Sequence, residues 1–125
     1  MLAEAGIASA IITGRSSKAV AARARNLGIE HVIQGAADKR AAFATLLARI
    51  GLDVNACAGI GDDVPDLPIL TRVAFAATVP DAPTFVRERV HYITTAPGGR
   101  GAVRELAELI LHGQGKLAGL LTRYL

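Results

Sequence analysis

A chain of 125 residues, 51% apolar but only 4% aromatic, is long enough for one domain with one core, and its apolar mass lies in Ala, Leu, Ile and Val. The net charge of +3 comes from scattered Lys and Arg, which favours small anions mildly and gives no concentrated stripe for nucleic acid. A single cysteine, Cys57, rules out a disulfide framework within one chain and suits a reducing compartment; no apolar run reaches bilayer length, and residues 1–12 lack the charged start and cleavage site of a signal peptide.

In chain order, Met1 to Gly6 reads as the last turn of a helix closed by Gly6. Ile7 to Thr13 is a buried strand by its β-branched content, and Gly14-Arg15-Ser16-Ser17 is the turn after it, with Ser16 or Ser17 as N-cap. Ala19 to Leu27 is an alanine-rich helix ended by Gly28, Ile29 to Ile33 a short second strand, and Ala37 to Ile50 a helix with Asp38 and Lys39 in its first turn. Ala56-Cys57-Ala58 is strand-like and makes Cys57 an inert core residue. Gly59 to Pro68 turns into a short helix from Leu67 to Arg72. Val73 to Ala77 is a strand, and Pro80 and Pro83 force a loop. Thr84 to Arg89 is a short helix, His91 to Thr94 a last strand, Ala96 to Gly101 a glycine-rich loop, and Ala102 to Leu111 a helix before a helical tail from Gly115. Strand and helix alternate throughout, so the class is α/β with a mainly parallel sheet.

The chemistry concentrates in Gly61-Asp62-Asp63-Val64-Pro65-Asp66. In an open parallel sheet the turn after a strand lies at the carboxyl edge, where ligands bind. Three carboxylates this close repel unless a positive group joins them or a proton is taken up. A hard cation such as Mg²⁺ answers with oxygen coordination and usually brings phosphate. A plain helix start, with Asp63 as N-cap and Pro65 in the first turn, explains one aspartate and the proline. It leaves Asp62 and Asp66 without a reason.

Two further strand ends add polar groups: Thr13 with the amides of Gly14 and Arg15 after the first, and Lys39 on the helix that follows the second. A hydroxyl, a backbone amide, an ammonium and a metal-binding carboxylate set suit one phosphoryl group, whose transfer depends on positioning and charge neutralisation. Taken singly, Thr13 is a β-former and Lys39 a solvated helix residue. His31, His91 and His112 do not cluster with Asp or Cys and read as surface or strand-edge residues. Gly98-Gly99-Arg100-Gly101 lacks dinucleotide-fingerprint spacing.

Ile11 to Ser17, Asp38-Lys39, Gly61 to Pro68 and Pro97 to Glu105 together resemble the haloacid dehalogenase superfamily of phosphatases. The Gly98 to Glu105 stretch and the Gln114 to Leu125 tail resemble, within it, the 3-deoxy-D-manno-octulosonate 8-phosphate phosphatases. The resemblance covers essentially the whole chain. It implies a Rossmann-like three-layer αβα fold and a Mg²⁺-dependent, cytoplasmic phosphomonoesterase of lipopolysaccharide precursor synthesis, working through an aspartyl-phosphate. By that resemblance Thr13, Gly14 and Lys39 hold the phosphate, Thr13 and Lys39 as catalytic groups. Asp62 ligates Mg²⁺ with Asp63 and Asp66 in support, and Arg15 and Arg100 meet the sugar acid. It also implies a homotetramer in which the tail, with Leu117, Leu120, Leu121 and Leu125, approaches a neighbour's active site.

One departure stands against the agreement. The family's nucleophile lies in an Asp-x-Asp motif on a first, central strand, and these 125 residues contain no such motif; the earliest carboxylate is Glu4. The expectation is a single phosphatase domain over residues 1–125, truncated at its N-terminus and without that strand. Two sheet edges should then be left unpaired and the chain inactive alone. The other expectation is a non-catalytic oligomerisation module of the kind fused to nucleotide-sugar synthetases. The retained Thr13, Lys39 and three aspartates argue against it.

Overall fold

The computed structural model describes residues 6–14, 18–26, 29, 31–98 and 101–113. The expected opening helical turn and the C-terminal tail lie outside them. The chain forms two compact units, Met1–Asp38 with Ala107–Leu125, and Lys39–Leu106.

In the first unit β1 (Ala10–Ile12) and β2 (His31–Ile33) pair in parallel, Ala10 opposite His31 and Ile12 opposite Ile33. Parallel neighbours need a crossover, and α1 (Lys18–Asn26) supplies it. Ala24 of α1 is buried, and its carbonyl accepts the Ile29 amide at 2.9 Å, closing the helix end.

The second unit starts with α2 (Lys39–Ile50), then β3 (Ala58–Ile60), α3 (Leu67–Leu70), β4 (Phe75–Thr78), α4 (Thr84–Arg87) and β5 (Tyr92–Ile93). Its three strands are parallel in the order β3-β4-β5. The final helix, α5 (Ala102–Gly113), begins in this unit, and the unit boundary falls within it. Leu67, Leu70, Val73, Ala76, Val79, Ala82, Val86 and Ala102 make one buried cluster, with Ala76 and Val86 wholly enclosed. Small residues on β4 let α3 and α4 pack closely, which is why so few aromatics suffice. Among the described residues, β1 has no strand partner besides β2, and β3 none besides β4. Among the described residues, β1 and β3 are thus each an edge strand of their own sheet.

The alternation of elements is as expected, and the strands are shorter. One placement is corrected. Val54–Ala56, read in part as strand, is a 3₁₀ turn capped by Asp53, whose carboxylate accepts the Asn55 amide at 2.8 Å. Asp and Asn bind their own backbone and break the extended run, so the strand begins at Ala58 and takes in Gly59 and Ile60. Cys57 lies just ahead of it, partly buried, its thiol donating to the Asp53 carbonyl at 3.4 Å. Burial first, and the Asp53 carboxylate second, push that thiol above its ordinary range, which fits an unreactive cysteine. His91 is exposed, yet it supports the sheet. Its Nδ1 accepts the Ala76 amide at 2.8 Å, its own amide donates to the Ala76 carbonyl, and its ring stacks on Phe75.

No described helix is long and apolar enough to cross a membrane. Because Leu70 is 2% exposed in the centre of the cluster, Leu70→Ala should lower unfolding free energy by roughly 2–5 kcal/mol in urea titration.

Candidate functional site

The aspartate turn is built around one carboxylate. Asp66 Oδ1 takes a charge-assisted hydrogen bond from Lys39 Nζ at 2.6 Å, with the two side chains only 17% and 18% exposed. Its Oδ2 accepts the Asp62 amide at 3.0 Å and the Asp63 amide at 3.2 Å. Water screens a pair this enclosed less than one on the open surface. Asp63 caps the 3₁₀ turn Val64–Asp66, accepting the Val64 amide at 2.7 Å, and with Asp66 it forms a reciprocal capping box. The helix-start reading therefore accounts for Asp66 as well as Asp63. Asp62 is exposed, and its carboxylate has no hydrogen bond or ion pair among the described residues.

Gly61 makes the arrangement possible. A Cβ there would stand 2.5 Å from the Asp66 Cβ and 2.6 Å from its Oδ2, so any side chain would push the central carboxylate away. Thr78, at the end of β4 and wholly buried, donates from Oγ1 to the Gly61 carbonyl at 2.6 Å.

The opening of the glycine-rich loop is held by Glu105, in the first turn of α5. Its carboxylate accepts the Tyr92 hydroxyl at 2.6 Å and the amides of Thr95 and Ala96 at 2.8–3.0 Å. The Tyr92 bond first, then the Ala96 and Thr95 amides, hold Glu105 below its ordinary carboxylate range. The same bond, followed by burial and by the Glu105 charge, raises the Tyr92 phenol. Gly101, with φ of +106°, turns the loop into α5, and its carbonyl accepts the Glu105 amide.

Of the residues expected at a site, Lys39, Asp62, Asp63 and Asp66 come together in the second unit. Thr13 and Gly14 follow the carboxyl end of β1 in the first unit. There the Thr13 amide donates to the Ile33 carbonyl, and the Thr13 carbonyl accepts the Ala36 amide. Arg15 and Arg100 lie outside the described residues. No three described His, Cys, Asp or Glu side chains converge on one point that could hold a metal. Asp66 and Asp63 are engaged with Lys39 and with backbone amides, and of the three aspartates Asp62 is the exposed one whose carboxylate has no partner among the described residues. One free carboxylate fits Mg²⁺, which is held by one or two carboxylates with waters and phosphate completing its shell. Sequence reasoning gave no role to Thr78, Tyr92 or Glu105. Only Glu105, as the end of the glycine-rich motif, carried a signal.

No protein-family model matches the chain. A parallel α/β fold with an Asp-rich turn after a strand, joined to a lysine at the start of the preceding helix, defines the haloacid dehalogenase-like class. The structure of 3-deoxy-D-manno-octulosonate 8-phosphate phosphatase from Moraxella catarrhalis, in complex with magnesium ion, phosphate ion and a KDO molecule, superposes with a TM-score of 0.96 at 44% identity, over 99% of this chain and 71% of that one. The cobalt-bound form of the corresponding phosphatase from Haemophilus influenzae gives 0.89 at 36%, over 94% and 68%. The enzyme of the same description from Yersinia pestis is 46% identical over 110 residues, 88% of this chain and 59% of the relative, and that of Escherichia coli K12 is 44% identical over 108 residues. The chain belongs to the 3-deoxy-D-manno-octulosonate 8-phosphate phosphatase family, and it spans a little under three fifths of the length of these curated relatives, 59% and 57%.

Two outcomes follow. Gly61→Ala should displace Asp66, and the Asp62 and Asp63 amides should then exchange with solvent faster, as amide-exchange spectra would record. Glu105 is depressed on folding, so its contribution to stability is complete above its unfolded value of 4.5 and is lost as pH falls through the lower folded value. Tyr92 is raised, so its contribution holds below its unfolded value of 10.0 and is lost as pH rises through the higher folded value. An NMR titration of the Thr95 and Ala96 amides should therefore show one acid and one alkaline transition; in Glu105→Gln the acid one should be absent and the alkaline one should move down toward the ordinary tyrosine range.

Proposed function

We propose that residues 1–125 form one phosphatase domain carrying the metal and phosphate half of a Mg²⁺-dependent phosphomonoesterase. Its substrate is 3-deoxy-D-manno-octulosonate 8-phosphate, and its products are the sugar acid and phosphate, in lipopolysaccharide precursor synthesis in the cytoplasm. The observation that carries this reading is the outward carboxylate of Asp62 beside the Lys39–Asp66 pair, after a parallel strand.

Asp62 ligates Mg²⁺, with Asp63 and Asp66 fixing the turn and the metal's waters. Bound there, the ion supplies charge neutralisation at the phosphoryl oxygens. Lys39, paired with Asp66, offers its remaining N–H groups to the phosphate. The family resemblance also assigns phosphate binding to the Thr13 hydroxyl and the Gly14 amide of the first unit. Arg15 and Arg100 take the carboxylate and hydroxyls of the sugar acid. The active assembly is a homotetramer, to which residues 114–125 contribute apolar contact.

Covalent phosphoryl transfer also needs an attacking carboxylate, and these residues hold no Asp-x-Asp motif. The 125-residue chain should release no phosphate from the 8-phosphate above background. Adding a segment bearing Asp-x-Asp, fused or as a separate fragment, should start turnover that Asp62→Asn abolishes. Turnover by the chain alone, lost in Asp62→Asn, would show that a carboxylate already present attacks phosphorus. Self-association without any uptake of Mg²⁺ or Mn²⁺ would instead favour a non-catalytic oligomerisation module.

A further inference from the structure

The ladder between β3 and β4 ends at the pair Ile60 and Ala77, and the Gly61 amide reaches the Ala77 carbonyl at a long 3.3 Å. One residue further on, a side chain takes over. Thr78 is 0% exposed and donates from Oγ1 to the Gly61 carbonyl at 2.6 Å, while its own carbonyl accepts the Thr94 amide at 2.8 Å. Thr78 and Thr94 are the buried polar side chains of the described structure, the rest of its buried side chains being apolar.

The carbonyl that Thr78 holds belongs to the Gly61–Asp62 peptide. The amide of the same peptide, that of Asp62, donates to Asp66 Oδ2 at 3.0 Å. A peptide is planar, so bonds at its two ends fix its tilt; the next peptide is held by the Asp63 amide on the same Asp66 oxygen at 3.2 Å, and the two together set the direction in which the Asp62 Cβ leaves the backbone. The Asp62 carboxylate itself has no partner among the described residues. Asp66 is held in turn by Lys39.

We infer that Thr78 is a positioning residue for Asp62: its buried hydroxyl and the Asp66 carboxylate clamp the Gly61–Asp62 peptide from opposite ends and aim the free carboxylate at the cation. This deepens the metal-dependent reading above and rests on it for its functional half. The groups that orient a metal's direct ligands matter nearly as much as the ligands, and their loss typically weakens binding 10- to 100-fold. A threonine that merely filled space would be replaced without effect by valine, which has its shape, and would lose packing in serine. A threonine acting through its hydroxyl gives the reverse order.

The test uses Thr78→Val, Thr78→Ala and Thr78→Ser in the full chain, with Mn²⁺ as probe by water-proton relaxation and amide exchange as a metal-free readout. In Thr78→Val and Thr78→Ala, Mn²⁺ affinity should fall about tenfold and the Asp62 amide should exchange several-fold faster. The Val79 and Ala82 amides should hold their rates. Thr78→Ser should restore both properties to near the parent chain. An Asp62 amide unchanged in the two hydroxyl-free variants would overturn the clamp whatever the metal does, as would a serine variant as weak as valine. A parent chain that takes up no Mn²⁺, or does so equally well as Asp62→Asn, would overturn the functional half, while the exchange result would still decide whether the clamp exists.

Discussion

The second unit's chemistry depends on the Asp66 carboxylate being shared. One oxygen neutralises Lys39 and the other gathers the Asp62 and Asp63 amides. That division relieves the repulsion that three neighbouring aspartates would otherwise suffer, and it leaves Asp62 free to face outward. It also sets a steric condition. Asp66 can fold back over the turn only because position 61 has no side chain. The proline at 65, Asp63 as cap and Gly61 are thus parts of one device, a 3₁₀ turn wound tightly enough to bring a carboxylate back over its own N-terminus.

This arrangement ties fold to site. The lysine opens α2, and the aspartate sits 27 residues later at the start of α3. The apolar cluster holds Leu67, directly after Asp66, and Leu70 one turn further on, so core packing fixes where the carboxylate stands. On the far side β4 ends in a buried threonine, and β5 leads to a loop gripped by Glu105. The charged groups of this unit stand at a helix start and in the turns after strands that small side chains allow to pack closely.

Much of this was legible in the residues. The alternation of β-branched runs with alanine- and leucine-rich helices gave the parallel α/β class, because each period follows from which face is buried. Family motifs pointed to Lys39 and the aspartates, though not to their pairing, since nothing local links positions 39 and 66. The reading of Asp66 as an unexplained carboxylate failed because a capping box was not considered for a turn so short. The strand reads as Ala56–Ala58 rather than Ala58–Ile60 because the small apolar run from Ala56 hides the 3₁₀ turn that the Asp53 carboxylate caps through the Asn55 amide. His91 looked idle because a histidine that accepts a backbone amide leaves no mark in sequence. Thr78 and Tyr92 are ordinary β-formers until their partners are known.

The central claim is that Asp62 receives the cation while Asp66 stays with Lys39. The most direct measurement is an anomalous difference map from crystals of the chain grown with Mn²⁺. The account predicts a single strong peak within coordinating distance of the Asp62 carboxylate, with Lys39 Nζ still on Asp66. A peak on Asp66 with Lys39 displaced, or on Asp63 with the cap broken, would contradict it.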